Sequence, residues 1–294
     1  MSELPLPGAD PVPPRSGRRP RLIVTDLDGT FLSPDGTVSD LNAAAVKAAQ
    51  AADVPVVFAT GRPVRWLEVI ADLPGAHPIV IASNGAVLFD QGTGRTLRRL
   101  SLDPDVVRNA ISSIRNAFPE AALALESGTH FGHEAHYVTL PASARSMSAA
   151  ADRGVSVVDV AELAAEGGHV KLLVQHPTLR SEELLERVRP LLGDRLLATH
   201  SGFTRPDLGE AGLLEISAGG VSKATMLAYC CEGLGVAAED VAGFGDMPND
   251  VDMLSWVGMP HLVANAHPSL HGRYPMVPSN ADSGVGRTIL GWLE

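Results

Sequence analysis

A chain of 294 residues, 45% of them hydrophobic, holds enough apolar material for one large domain or two medium ones. Its net charge of −11 argues against nucleic acid or an anionic membrane as a main partner, and no apolar run nears the roughly 20 residues a membrane helix needs. The two cysteines, Cys230 and Cys231, are adjacent, which suits neither a zinc finger nor a disulfide framework and fits a reduced, cytoplasmic setting.

Residues 1–20 contain six prolines and no periodicity and read as a disordered tail. The apolar run after Arg18-Arg19 is broken at once by acidic residues, so no export signal is expected. Leu22-Ile23-Val24-Thr25 reads as a short buried strand that runs into Asp26, Asp28, Gly29 and Thr30. Alternation along an extended chain sends Asp26 and Asp28 to one side, where two carboxylates repel unless a cation or a proton separates them. Ser33-Pro34-Asp35-Gly36 marks a turn, and Ser39 or Asp40 caps an alanine-rich helix to about Ala52. A second strand, 54–59, ends in Thr60-Gly61-Arg62, and Pro63 opens another helix. A third, 78–82, ends in Ser83-Asn84-Gly85. Strand and helix in alternation predict a Rossmann-like parallel sheet.

From Val87 the texture changes to a hairpin, a helix over 104–117, several short strands and a further helix from Ser181. This pattern predicts an inserted α+β domain over 87–216. At Gly219-Gly220-Val221-Ser222 the parallel pattern resumes, with a helix from Lys223, a strand over 240–245, then Asp246-Met247-Pro248-Asn249-Asp250, a helix, a short strand over 261–264 and a final helix. The core is thus expected in two pieces, 21–86 and 217–294. Residues 22–86 and 217–294 carry six basic and fifteen acidic residues, an excess that a bound divalent cation would partly offset.

In an open parallel sheet, sites form at the carboxyl ends of the strands, so Asp26, Asp28, Thr60, Gly61, Lys223, Asp246, Asn249 and Asp250 can meet there. These groups suit phosphoryl transfer. Asp26 and Asp246 can bind Mg²⁺, which prefers hard oxygen ligands. A carboxylate can attack phosphorus, and an acid two residues on can protonate the leaving oxygen. A hydroxyl, backbone N–H groups and a lysine can neutralise the transferring oxygens. Lysine is a rare choice in this chain, with only Lys47, Lys171 and Lys223. Each piece also has a plain structural reading: Thr60-Gly61-Arg62 as a turn, Lys223 as a solvated first-turn residue, Arg62 in a surface ion pair. Asn84-Gly85 reads as a hinge turn into the insert, with Asn84 carried as a substrate-binding rather than catalytic candidate.

DLDGT, TGR, VSK and GDMPND, in that order, closely resemble the four motifs of the haloacid dehalogenase-like phosphatase superfamily. The insert, with SNGA before it and LLEIS and GGVSK at its end, is similar to the Cof-type branch with a type IIB cap. The likeness covers residues 21–294. It implies Asp26 as nucleophile and Asp28 as acid/base, with Thr60 and Lys223 on the phosphoryl group and Gly61, Asn84 and Asn249 near the substrate. It implies Mg²⁺ held by Asp26, the Asp28 carbonyl and Asp246, with Asn249 and Asp250 supporting the metal end. One departure is Val263-Ala264-Asn265-Ala266, where methionine is commoner near the first position. The insert would act as a lid, with His130, His133, His136, Glu126 and Arg205 as polar candidates. A metal site on the three histidines is not expected, since strand spacing would not bring them to one face. The expected function is Mg²⁺-dependent hydrolysis of small phosphomonoesters such as sugar phosphates. Phosphotransfer to another hydroxyl and phosphometabolite binding without turnover are the alternatives.

Overall fold

The computed structural model describes residues 19–73, 78–139, 154–201, 204–205, 209–210 and 212–293. The proline-rich tail, apart from Arg19 and Pro20, lies outside them, as does the Arg205 side chain. The chain forms two compact units. One runs to Gly61, resumes over Val69–Leu97 and again from Ser222; the other comprises Arg62–Glu68 and Arg98–Val221.

In the first unit, β1 (Leu22–Thr25) leads to α1 (Asp40–Ala51), then β2 (Val56–Ala59), β3 (Ile79–Ala82), β4 (Val87–Asp90) and β5 (Arg95–Arg99), whose last two residues count with the second unit. The second unit holds α2 (Pro104–Ala117), β6 (Ala122–Glu126), β7 (Phe131–His133), β8 (Val155–Val157), α3 (Val160–Ala164), β9 (Lys171–His176), α4 (Ser181–Val188), β10 (Leu196–Ser201), the two-residue pair β11 (Thr204–Arg205) and β12 (Gly209–Glu210), and β13 (Gly212–Ala218). The first unit closes with α5 (Lys223–Leu234), β14 (Val241–Gly245), α6 (Val251–Trp256), β15 (Met259–Val263), β16 (Met276–Val277) and α7 (Gly284–Leu293).

The core sheet runs β16-β15-β14-β1-β2-β3-β4-β5. It is parallel from β16 to β3, and β4 joins antiparallel to β3. The chain steps outward from β1 through β2 and β3, then returns to the other side of β1 with β14. The central strands β1, β2 and β14 are buried along their whole length, as expected for a sheet covered on both faces. Phe31 meets Phe58 edge to face at 4.9 Å between centroids. The second sheet runs β10-β13-β9-β6-β7-β8. Alternate residues Leu123, Leu125, Leu172, Val174, Leu214 and Ile216 bury one face of it against Ile111 and Ile114 of α2 and Leu184 and Val188 of α4.

The architecture is the expected parallel α/β core with an α+β insertion, but three details differ. The strand that begins at 87, the buried β4, extends the core sheet, and the border read at 216 falls inside β13, which continues to Ala218. An antiparallel strand on the edge of a parallel sheet looks, in sequence, like a new domain. The helix expected after Pro63 is instead two short 3₁₀ turns, Val64–Trp66 and Glu68–Ile70. Its residues Val, Trp and Ile are poor helix formers, and Arg65 is held in the second unit by a buried ion pair with Glu126. The helix predicted from Ser181 stops at Val188, where Arg189-Pro190-Leu191 tightens to 3₁₀. No helix among the described residues is long and apolar enough to cross a membrane.

Candidate active site

The ends of β1, β2 and β14 bring three polar segments together at the point where strand order reverses. β1 delivers Asp26, whose N–H donates to the Phe244 carbonyl at 3.0 Å. The extended chain stops there. Residues Leu27–Phe31 form a wide turn closed by the Leu32 N–H on the Leu27 carbonyl at 2.8 Å, with Gly29 at φ +78°. Alternation therefore does not relate Asp26 to Asp28: Asp26 is buried and Asp28 exposed.

Lys223 enters as the first residue of α5. Ser222 caps this helix, its Oγ accepting from the Thr225 N–H at 3.2 Å while the Thr225 hydroxyl accepts from the Ser222 N–H at 3.0 Å. The Lys223 side chain is 1% exposed, and Nζ donates to Asp26 Oδ1 at 2.5 Å and to Asp250 Oδ1 at 2.6 Å. Burial alone would depress this lysine, but Asp250 and Asp26 outweigh it and raise its pKa, so it stays charged. The close seat of Lys223 depends on Gly85, at φ +103°: a Cβ there would overlap the Ser222 carbonyl and lie 2.9 Å from the Lys223 nitrogen.

Asp246 and Asp250 follow β14. Asp250 Oδ2 accepts from the backbone N–H of Asp246 at 3.1 Å and of Met247 at 3.0 Å, so both its oxygens are occupied. Asp246 Oδ1 accepts from the Thr30 hydroxyl at 2.8 Å. Burial pushes the Asp246 carboxyl up to about 6; Asp250 and Asp28 add to the rise, and Thr30 and Lys223 oppose it. Burial likewise raises Asp26, against the pull of Lys223.

One carboxylate oxygen from each of Asp26, Asp246 and Asp250 lies within 4.8 Å of the others. Three buried carboxylates beside one ammonium leave an excess of negative charge in hard oxygen donors, which fits a divalent cation. Gly29 adds to the fit, since a Cβ there would overlap Asp246 Oδ2 and sit 3.0 Å from its Cγ. With Asp250 committed to Lys223 and to backbone N–H groups, Asp26 and Asp246 are the carboxylates suited to ligate and Asp250 is the one suited to support.

Thr60, fully buried, donates its N–H to the Ile81 carbonyl at 2.8 Å, and its own carbonyl accepts from the Asn84 N–H at 3.0 Å. Asn84 Oδ1 lies against Gly61, 3.1 Å from where a Cβ would stand, and accepts from Asn249 Nδ2 at 3.2 Å. Asn84 thus ties the Thr60-Gly61 loop to the Asp246–Asp250 loop. It does so at a backbone cost, because Ser83 (φ +53°) and Asn84 (φ +57°) are both left-handed. The residues predicted for catalysis, metal and phosphoryl binding all fall in the first unit.

The candidates of the inserted unit have other attachments. Glu126 is buried, pairs with Arg65 and accepts from the Gly128 N–H at 2.6 Å. His133 Nδ1 contacts the Glu134 carbonyl at 2.9 Å and His136 Nε2 that of Ala121 at 3.2 Å, while His130 is exposed. Arg62 donates to the Trp66 carbonyl at 3.3 Å. Thr30, Asn42, Asn265 and Asn280, which sequence reasoning did not single out, all bond to the turn after Asp26 or to its partner Asp246. Only Thr30 carries a local signal, inside DLDGT.

The family model for haloacid dehalogenase-like hydrolases matches residues 23–289. An HMP-PP phosphatase of Enterobacter sp. (strain 638) is 26% identical over 280 residues, 93% of this chain and 96% of that protein. The structure of BT1666, a phosphatase from Bacteroides thetaiotaomicron, superposes with a TM-score of 0.75 at 24% identity over 96% of this chain and 98% of its own. The subclass IIB sugar phosphatase BT4131 superposes with a TM-score of 0.72 at 16% identity over 92% and 98%. At these identities the two structures speak for the fold, while the family match spans both pieces of the core and carries all four motifs. This chain therefore belongs to the haloacid dehalogenase-like hydrolase family.

Proposed function

We propose that this chain, a phosphatase of its family, hydrolyses small phosphomonoesters with Mg²⁺ through an aspartyl-phosphate on Asp26. The observation that supports this most directly is the buried group of Asp26, Lys223, Asp246 and Asp250. One lysine there orients a carboxylate that is flanked by further oxygen donors. Such a group is costly to bury and answers to no need of the fold.

Asp26, held by Lys223 through Oδ1, attacks the phosphorus, and the ester P–O bond breaks. The exposed Asp28 gives its proton to the leaving alkoxide. It then takes a proton from the water that attacks the aspartyl-phosphate, releasing inorganic phosphate and restoring both carboxyl groups. Thr60, with the backbone around Gly61, and Lys223 face the transferring oxygens. Asp26, the Asp28 carbonyl and Asp246 would hold Mg²⁺, which would neutralise charge on the phosphoryl group. Asn84 and Asn249 keep the two loops in register.

The substrate is a small phosphorylated metabolite. HMP-PP, named for the Enterobacter relative, and sugar phosphates, named for BT4131, are the first compounds to assay. The test is phosphate release from a panel of phosphoesters with Mg²⁺. Asp26→Asn should abolish release while the thermal transition survives, and near-wild-type release from that variant would sink the mechanism. Isomerised product without free phosphate would assign the chain to phosphotransfer instead.

A further inference from the structure

Three asparagine amides hold the turn that follows Asp26. Asn265 Nδ2 donates to the Gly29 carbonyl at 2.7 Å, Asn42 Nδ2 to the Phe31 carbonyl at 2.5 Å and Asn280 Nδ2 to the Leu32 carbonyl at 2.8 Å. Two of these amides are fixed at the other end as well. Asn265 Oδ1 accepts from the Asn280 N–H at 2.9 Å, and Asn42 Oδ1 accepts from the Gly286 N–H at 2.8 Å. An amide bonded through both its oxygen and its nitrogen has its orientation set.

The three differ in surroundings. Asn42 and Asn280 are buried, so each also serves the packing around it. Asn265 is exposed, and little packing rests on it. Its partner is Gly29, the residue at φ +78° that lies against the Asp246 carboxylate. Glycine restricts its own backbone least of all residues, so the orientation of the peptides on either side of Gly29 has to come from outside. The bond from Asn265 supplies it on one side, and the Thr30 hydroxyl on Asp246 anchors the next residue.

We propose that Asn265 is a positioning residue for the hydrolytic reaction. By holding the Gly29 carbonyl it fixes the Gly29–Thr30 peptide against Asp246, and so narrows the positions open to the Asp28 carbonyl and carboxyl relative to Asp26 and Asp246. This role rests on the phosphatase reading of Asp26 and Asp28. It predicts that loss of Asn265 harms chemistry and metal binding rather than folding.

The test compares Asn265→Ala with the wild type and with Asp26→Asn in steady-state kinetics, Mg²⁺ calorimetry and thermal unfolding. For Asn265→Ala, kcat should fall about 10- to 100-fold, in keeping with a misplacement on the ångström scale. The Kd for Mg²⁺ should rise severalfold, with KM and Tm nearly unchanged. Wild-type kcat and Mg²⁺ affinity would overturn the role, as would a drop in Tm with kcat intact. Should Asn265→Ala fail to fold, Asn265→Asp keeps the acceptor for the Asn280 N–H and sets a carboxylate oxygen where the donor to Gly29 stood. The same loss of kcat is expected there, and wild-type kcat overturns the role. Turnover persisting in Asp26→Asn overturns the reading of Asp26 as nucleophile and the positioning role together, whereas an inactive Asp26→Asn beside a fully active Asn265→Ala overturns the positioning role alone.

Discussion

Lys223 is the residue on which the charges of the site balance. Its ammonium serves Asp26 and Asp250 at once in a volume that water scarcely reaches. Removing it leaves two buried carboxylates without their cation, so Lys223→Met should cost the metal-free protein about 3–5 kcal/mol, read from denaturant unfolding. Asp246 makes the companion case in pH. Its carboxyl, near 3.8 in the unfolded chain, titrates at about 6 in the fold. The folded chain therefore holds the extra proton between those values, and this group withdraws stability as pH rises through them. Mg²⁺ favours the ionised form. The rise in Tm on adding Mg²⁺ should accordingly be small below about pH 5 and complete above about pH 7, and a rise that does not change with pH would remove Asp246 from the metal site. At this scale the sequence was informative where a residue type is rare or awkward: two acids ending an apolar strand, a lysine in a chain with three. It was silent on Asn265, because the Gly29 carbonyl it holds lies 236 positions away and any residue offers a carbonyl.

Among the elements, the turns after the strands matter more than the strands. Gly29 and Gly85 are two positions where a missing Cβ lets one segment lie against another. Gly29→Ala combines a strained left-handed backbone with a clash against the Asp246 carboxylate. It should lower Tm by an amount corresponding to about 1–3 kcal/mol and weaken Mg²⁺ binding in the same variant. Gly220 provides the comparison. It too has a positive φ (+79°), but nothing lies near its Cβ direction, so alanine there should cost only the backbone strain and leave Mg²⁺ affinity alone. The order of strands and helices was legible from apolar runs bounded by glycine, proline and capping residues, as at Ser39 and Ser222. What misled was local. Residues 64–70 look helical after Pro63, yet Arg65 is drawn to Glu126 and stacks over Trp66 and Phe131 at 5.1 and 5.0 Å. Such a contact, between residues 61 positions apart, leaves no periodic trace.

For the molecule as a whole, each unit has its own apolar core, and the residues predicted for catalysis and metal binding belong to the first. A ligand stabilises the part of a chain that binds it. Saturating Mg²⁺ should therefore raise the unfolding transition of the first unit. Leu172→Ala, in the core of the second, should lower that unit's stability by about 2–5 kcal/mol without altering the Kd for Mg²⁺. Hydrogen exchange resolved by segment reads both effects. Residues 62–68 give the division a further meaning. They lie between β2 and β3 in the chain but belong to the inserted unit, so the backbone passes between the two units at four places rather than two. The insertion is thus no cassette: a graft that exchanges only 98–221 for the same region of a relative would strand Arg65 without Glu126, and a working chimera has to carry residues 62–68 of the donor along with its cap.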